Sequence, residues 1–324
     1  MLDLRPLRHF TTIVEMGSLS RAAAHLGIAQ PALSHQVAAL EAELGVKLLH
    51  RGPRGVTPTD AGRTLYRHAQ VLLRQLEQAR RAVNVGDGIS GTVSVGLSVT
   101  TAEILSLPLL RKLQAEHAGI RLELVALPRR LLGEMLFNGR LDIAVLFDQP
   151  PVKTLTIEPV ATEEIFFVSQ QHGAKKAAQS VTLAEVARYP LLMPCRPHAT
   201  RMLLESMMTQ AGIQFNVVAE IDSVPSMLEA VEAGVGATVL PWSAVYRQAR
   251  EGRISVRPFA VPITREITMC RSDTAPLTAA GMATWSAIQP CVEELVKSSI
   301  WKGLQLHSQH GHLALQRQRG SIES

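Results

Sequence analysis

The sequence predicts a chain that changes class part-way along: an all-α winged helix-turn-helix unit, one long helix, and a larger α/β domain. Three observations carry this. Between Gly17 and Gly45, two short runs of apolar residues recur at three- and four-residue spacing and are separated by Gly27. After Thr59, leucines and alanines form a seam too narrow for an ordinary packed helix. From Thr92 onward, strand-length apolar stretches alternate with helical ones.

Leu4, Leu7, Phe10 and Val14 place one apolar face on a first helix that supports the next two from behind. Ser18 is a helix cap ahead of Leu19, Ala22, Ala23 and Leu26, and Gly27 ends that helix. The next opens at Gln30 with Pro31 in its first turn, where a missing N–H costs nothing, and it buries Leu33, Val37, Leu40 and Leu44. At 100° per residue, Pro31, Ala32, Ser34, His35 and Ala38 then face outward, small and polar enough to enter a DNA major groove. An ordinary pair of packed helices shows the same spacing. The balance is tipped by KLLHRGPRGVTPT, a glycine- and proline-containing stretch in which Lys47, Arg51 and Arg54 crowd a short hairpin or wing suited to phosphates.

Thr57-Pro58-Thr59-Asp60 reads as a cap, a first-turn proline and an acidic third position, hence a helix start. Leu65, Ala69, Leu72, Leu76, Ala79 and Val83 continue it as about three heptads of an a/d seam. Either this stripe packs on its own domain or it pairs with a second copy, and two-fold reading of half-sites favours the second. GDGISG is a joint. Beyond it, strands at TVSVGLS, IRLELVA, LDIAVLF, FNVVAEI and GATVLP alternate with helices at about 100–117, RMLLESMMTQAG and SVPSMLEAVEAG.

The 324 residues suggest about two domains at ~150 each. Residues 1–84 carry 11 Lys and Arg against 6 Asp and Glu, while the remainder balances, so the whole net charge of +5 sits with the part expected to meet phosphate. No apolar run of about 18 residues suggests a membrane span, and the N-terminus lacks an apolar signal core, so a cytoplasmic protein is expected. Cys195, Cys270 and Cys291 show no paired metal spacing and read as buried small hydrophobes. There is no P-loop, no G-x-S-x-G elbow and no complete dinucleotide fingerprint, Gly234-Val235-Gly236 lacking its third glycine, so neither enzyme nor cofactor is expected. A small-molecule binding protein with N-terminal assembly helices, or an enzyme with a cleft assembled from distant residues, are the competing readings.

LRPLRHFTTIVEMGSLSRAAAHLGIAQPALSHQVAALEAELGVKLLHR followed by RGVTPTDAG resembles the LysR-type transcriptional regulators, and IAQPALSHQVAALE looks most like their nitrogen assimilation control group. GRLDIAVLFD and VEAGVGATVLPWSAV resemble recurrent elements of that family's effector-binding domain. The resemblance implies a C-terminal two-lobed periplasmic-binding-protein-like α/β domain and a transcriptional regulator acting on double-stranded promoter DNA as a homodimer or homotetramer, in contact with RNA polymerase. It implies the division 1–58 winged helix-turn-helix, 59–90 linker helix and hinge, 91–298 regulatory domain, with one lobe at about 91–162 and 267–298 and the other at about 163–266. Residues 299–324 are expected to form a flexible tail, His307, His310 and His312 within it being weakly suggestive of metal. Carried over by position, Gln30, Pro31, Ser34, His35 and Arg54 are the DNA-reading residues. Ser98, Thr100 and Thr101 at one strand-to-helix turn, with Thr200 opposite, are expected to bind a small anionic effector, the alternatives being plain helix capping and a vestigial cleft. Arg129 and Arg130 are either an anion clamp or solvated surface.

Overall fold

In the computed structural model, residues 4–53, 55–82, 88–171, 180–273 and 276–307 are described, with backbone alone over 77–82. Helices α1 (Leu4–Met16), α2 (Leu19–Leu26) and α3 (Gln30–Leu44) lead into a hairpin of β1 (Leu49–Gly52) and β2 (Gly55–Pro58), and then α4 (Asp60–Ala82). The Ser18 hydroxyl accepts the Arg21 N–H at 3.4 Å, and Gly27 closes α2 at φ +67°. Phe10, Ile13, Ala22, Leu33, Val37 and Leu48 form a core in which none is more than 1% exposed. At about 1.5–3 kcal/mol per large side chain, this burial is what holds so small a unit. The face of α1 is wider than its leucine spacing suggests: His9, Thr11, Thr12 and Ile13 are buried too, while Leu4 is exposed.

The start of α4 corrects the sequence reading by two residues. Pro58 belongs to β2, where it stands opposite Leu49. Thr59 is the cap, its hydroxyl accepting the Gly62 N–H at 2.9 Å and donating to the Lys47 carbonyl at 2.7 Å, and its own N–H going to Leu48 O. A proline without an N–H can end a two-stranded hairpin as readily as it can begin a helix.

The second domain runs β3 (Ser90–Leu97), α5 (Val99–Glu116), β4 (Gly119–Ala126), α6 (Arg129–Phe137), β5 (Ile143–Phe147), β6 (Leu155–Gln170), α7 (Leu183–Val186), β7 (Pro190–Met193), α8 (Ala199–Gln210), β8 (Asn216–Glu220), α9 (Val224–Glu232), β9 (Thr238–Pro241), α10 (Trp242–Glu251), β10 (Ile254–Ser272), α11 (Ala279–Lys297), β11 (Leu304–Leu306). The main sheet has the order β11-β6-β10-β5-β3-β4, with β9 also on β6. Strand β3 is parallel to β4 and β5, and all of β5 is buried, as a central strand covered on both faces must be. A parallel β7-β8 pair joins β9 through a Leu191–Ala237 bridge and so builds the second lobe. The long strands β6 and β10 pair along nearly their whole length and pass from one lobe to the other, with a register break between Pro258 and Ile263.

The lobes do not stand apart on these strands alone. The core around Val93, Leu105 and Leu109 continues unbroken into Met227, Leu228 and Val245 of α9 and α10. Such shared packing restricts opening far more than two crossing strands would.

The expected flexible tail at 299–324 is corrected over its first nine residues. Trp301 is 1% exposed, β11 pairs with β6, and His307 Nε2 lies 2.9 Å from Thr162 Oγ1. Burial of one tryptophan outweighs the polar composition around it. His310 and His312 lie outside the described residues, and among those described no group of three His, Cys, Asp or Glu side chains converges as a metal site would require.

Candidate nucleic-acid interface and inter-lobe cleft

Helix α3 presents Gln30, Pro31, Ala32, His35 and Ala38 to solvent, opposite the buried Leu33, Val37 and Leu40. Ser34, half-buried, accepts a hydrogen bond from Arg51 Nη1 at 3.0 Å, so a cation of the hairpin is held against the exposed face of the helix. Ser18 caps α2 nearby, and Arg54 at the hairpin turn lies outside the described residues. The Nδ1 atom of buried His9 meets the side-chain oxygen of Gln36, bracing α3 from behind.

Glu41 is a residue that sequence reasoning missed. Only 6% exposed, its carboxylate accepts the N–H groups of Leu48 (2.9 Å) and Leu49 (3.3 Å) and pairs with the Lys47 ammonium at 2.7 Å. Burial pushes its pKa up, but Lys47 and the two N–H groups more than offset this and hold it below the usual carboxylate range. The first hairpin strand is thereby pinned to the last turn of α3. Gly55 completes the fit: at φ +117° it packs on Gly17, and a Cβ there would stand 2.4 Å from the Gly17 carbonyl.

Along α4, Leu65 packs on the N-terminal core and Ala69 is fully buried within this chain, so the first half of the predicted seam is already covered. Leu72 stands 47% exposed and Leu76 is half-buried. The Ala79 side chain and Val83 lie outside the described residues.

Three of the four hydroxyls predicted for an effector site already have partners. Ser98 Oγ and Thr101 Oγ1 lie 2.8 Å apart, so the Ser98 side chain engages Thr101 rather than a backbone N–H of the helix. Thr100 Oγ1 accepts from Arg265 Nη2 at 3.1 Å. Thr200 is half-buried in the first turn of α8, in the second lobe. Arg265 projects from β10 with its guanidinium carbon 3.3 Å from the centre of the Phe147 ring and is held by Glu163 of β6, Nε and Nη2 donating to Oε2 at 2.8 and 2.6 Å. Glu163 is fully buried; its other oxygen accepts from Ser243 Oγ (2.8 Å) and Trp301 Nε1 (2.9 Å). Four donors from β10, α10 and the C-terminal segment thus converge on one carboxylate where the strands cross. The acidic pair that opens EEIFFV, Glu163 and Glu164, was the available signal, but the partner of Glu163 lies 102 residues further on.

On the rim, partial desolvation and then Arg265 pull the pKa of His198 below its usual value, with Asp222 acting the other way. Arg130 pairs with Glu134 at the surface, and Arg129 reaches the Asp148 carbonyl at 3.5 Å, which matches solvated surface rather than a clamp. Burial raises the thiols of Cys270 and Cys291 to about 11. Among the described residues no helix is long and apolar enough to cross a membrane.

Comparison with known proteins agrees with this geometry. Residues 4–63 match the family described as bacterial regulatory helix-turn-helix protein, lysR family, and residues 86–290 match the LysR substrate binding domain. The chain is 41% identical over 245 residues to the nitrogen assimilation regulatory protein nac of Escherichia coli (strain K12), spanning 75% of this chain and 79% of that protein. The nac protein of Klebsiella aerogenes is equally similar over the same spans. Among solved structures, a full-length OxyR cysteine variant from Pseudomonas aeruginosa superposes with a TM-score of 0.69 at 24% identity, covering 90% of this chain and 99% of that one. Full-length CbnR complexed with its target DNA gives 0.62 at 21%, covering 90% and 100%. At these identities the two structures speak for the fold.

Proposed function

Because this chain belongs to the LysR family of bacterial regulatory helix-turn-helix proteins, we propose that it reads double-stranded promoter DNA by laying α3 of each of two protomers in successive major grooves. It is a DNA-binding transcriptional regulator with an effector-binding domain, in a family of regulators rather than enzymes. Gln30, Pro31, Ala32, Ser34 and His35 face base edges, Ser18 and Arg51 the backbone, with Arg54 at the hairpin turn. The observation that carries this is the Arg51–Ser34 hydrogen bond, which binds hairpin and reading face into one surface.

Homodimerisation, or assembly to a homotetramer, uses the outward side of α4 around Leu72 and Leu76. Contact with RNA polymerase is added by family resemblance, and the site of action is the cytoplasm. For the regulatory domain, Ser98, Thr100, Thr101 and Thr200 are the contacts of a small anionic effector, which would compete with Glu163 for Arg265. One observation favours a second reading. Since Arg265 already donates to the Thr100 hydroxyl, the cleft is vestigial in this reading and the abundance of the protein sets its output.

The test is binding to duplexes selected from a random pool, at rising salt. The native chain should keep discriminating selected from random DNA while overall affinity falls. Ser34→Glu places a carboxylate against bases and captures Arg51, and should lose selected-duplex binding by about 100-fold or more, the scale of a lost bidentate contact plus repulsion. A normal footprint from that variant, with unchanged circular dichroism, would show the reading face to be misassigned.

A further inference from the structure

Helix α4 has two opposed faces. At 100° per residue, Leu65, Ala69, Leu72 and Leu76 cluster on one side, while Arg67, Val71 and Arg74 lie on the other, within about 60° of one another. The second face packs on the first lobe of the same chain. The Arg67 guanidinium stands 4.4 Å over the Phe137 ring. Val71 packs against Gly139, which sits at φ +65° and where a Cβ would come within 2.7 Å of Val71 Cγ2. Arg74 Nη1 donates to Ser94 Oγ at 3.0 Å and pairs with Asp142 at 3.4 Å, while Nη2 reaches the Leu141 carbonyl at 3.3 Å.

The seat for Arg74 is itself fixed. Asp142 Oδ2 accepts both the N–H and the hydroxyl of Ser94 at 2.8 and 2.7 Å, and the Asp142 N–H returns to the Ser94 carbonyl at 3.0 Å. Ser94 lies in β3 and Asp142 immediately precedes β5, so the helix that carries the DNA-reading unit is keyed to central strands of the regulatory sheet. The contact also has slack. Two cavities flank it, one lined by Val71, Arg74, Gly139 and Asp142, the other by Arg67, Phe137 and Thr154. Arg74 Nε and Thr154 Oγ1 are the buried side-chain polar atoms, among the described residues, that find no partner in the chain. A charged key with an unpaired nitrogen between two small cavities is held less rigidly than one in a fully packed seat.

We propose that the Arg67–Val71–Arg74 face is the joint through which the regulatory domain aims the reading unit, with the Arg74–Asp142 pair as its positioning contact. The proposal rests on the dimeric DNA reading above: with the leucine face on a second copy, the angle at this joint sets the separation and tilt of the two α3 helices.

The experiment uses the full chain on duplexes carrying either one or both half-sites of a selected sequence. Affinity, footprint length and DNA bend by circular permutation are recorded together. Arg74→Ala should bind the single half-site within about twofold of native, yet lose about tenfold or more on the double site with an altered bend or footprint. The charge swap Arg74→Asp with Asp142→Arg should recover part of that loss. Equal double-site affinity, footprint and bend for Arg74→Ala and the native chain overturns the joint. Should Arg74→Ala lose its native tryptophan fluorescence, Arg74→Lys, which keeps the charge without the fork, takes its place: an intermediate bend supports the joint and an unchanged one overturns it. A native chain that cannot tell selected from random duplexes would sink the DNA reading as well, an outcome visible before any variant is made.

Discussion

Arg265→Ala isolates the charge at the crossing strands. In the native domain the Glu163 carboxylate is fully buried and its charge is balanced by one guanidinium, itself about nine-tenths buried. Removing the arginine leaves Ser243 and Trp301 as neutral donors to an uncompensated buried anion, a change that costs about 3–5 kcal/mol. The expectation is therefore about 3–5 kcal/mol, or roughly 6–20 °C in Tm for a domain of this size. Intrinsic fluorescence is a clean assay, because Trp242, Trp285 and Trp301 all lie in this domain and Trp301 touches the carboxylate. Glu163→Gln with Arg265→Met keeps an acceptor for Ser243 and Trp301 and removes both charges, so it should recover at least half of the loss. A change under about 1 kcal/mol for Arg265→Ala would refute the picture of an arginine-dependent Glu163.

Leu72→Glu with Leu76→Glu puts two carboxylates on the open half of the α4 seam and should lower the mass seen in sedimentation; an unchanged mass removes the seam from the assembly. Native protein treated with a maleimide at pH 8 should be modified at Cys195 alone, since burial holds Cys270 and Cys291 with pKa values of about 11, and labelling at either would contradict the packing around them. Glu41 has a lowered folded pKa, so its stabilisation is full above the unfolded value of ~4.3 and is lost as pH falls below that, through the folded value. Glu41→Gln should accordingly speed amide exchange at Leu48 and Leu49 by about tenfold at neutral pH, the difference from native shrinking as acid protonates the carboxylate.

Local periodicity made the N-terminal unit legible. The spacing of Leu33, Val37 and Leu40 located α3 and its outward face, and Ser18 and Gly27 marked the ends of α2, because caps and stripes act over three or four residues. The strands β3, β4, β5, β8 and β9 were visible for the same reason. What escaped depends on partners far along the chain. Thr57 and Thr59 are equally good caps on paper, and only the pairing of Pro58 with Leu49 separates them. Leu65 and Ala69 fit a dimer seam by spacing, yet tertiary packing claims them first. Glu163, Arg265 and Trp301 carry no local signature of their meeting, and the polar surroundings of Trp301 disguised a segment that is anchored by a single ring. Arg67, Val71 and Arg74 carry no local signal either, since Phe137, Gly139 and Asp142, which give them their role, lie about 70 residues further on.

The anchoring of Trp301 also dictates an order of events during synthesis. A ribosome delivers the chain N-terminus first, and the core of the reading unit, from Phe10 to Tyr66, is complete as soon as those residues emerge. The first lobe must wait for β10 and α11, and Glu163 waits longer still, until residue 301 supplies its last donor. Newborn chains thus carry a finished DNA-reading head well before the domain that governs it has closed, and truncation between Tyr66 and Trp301 would leave them permanently in that condition.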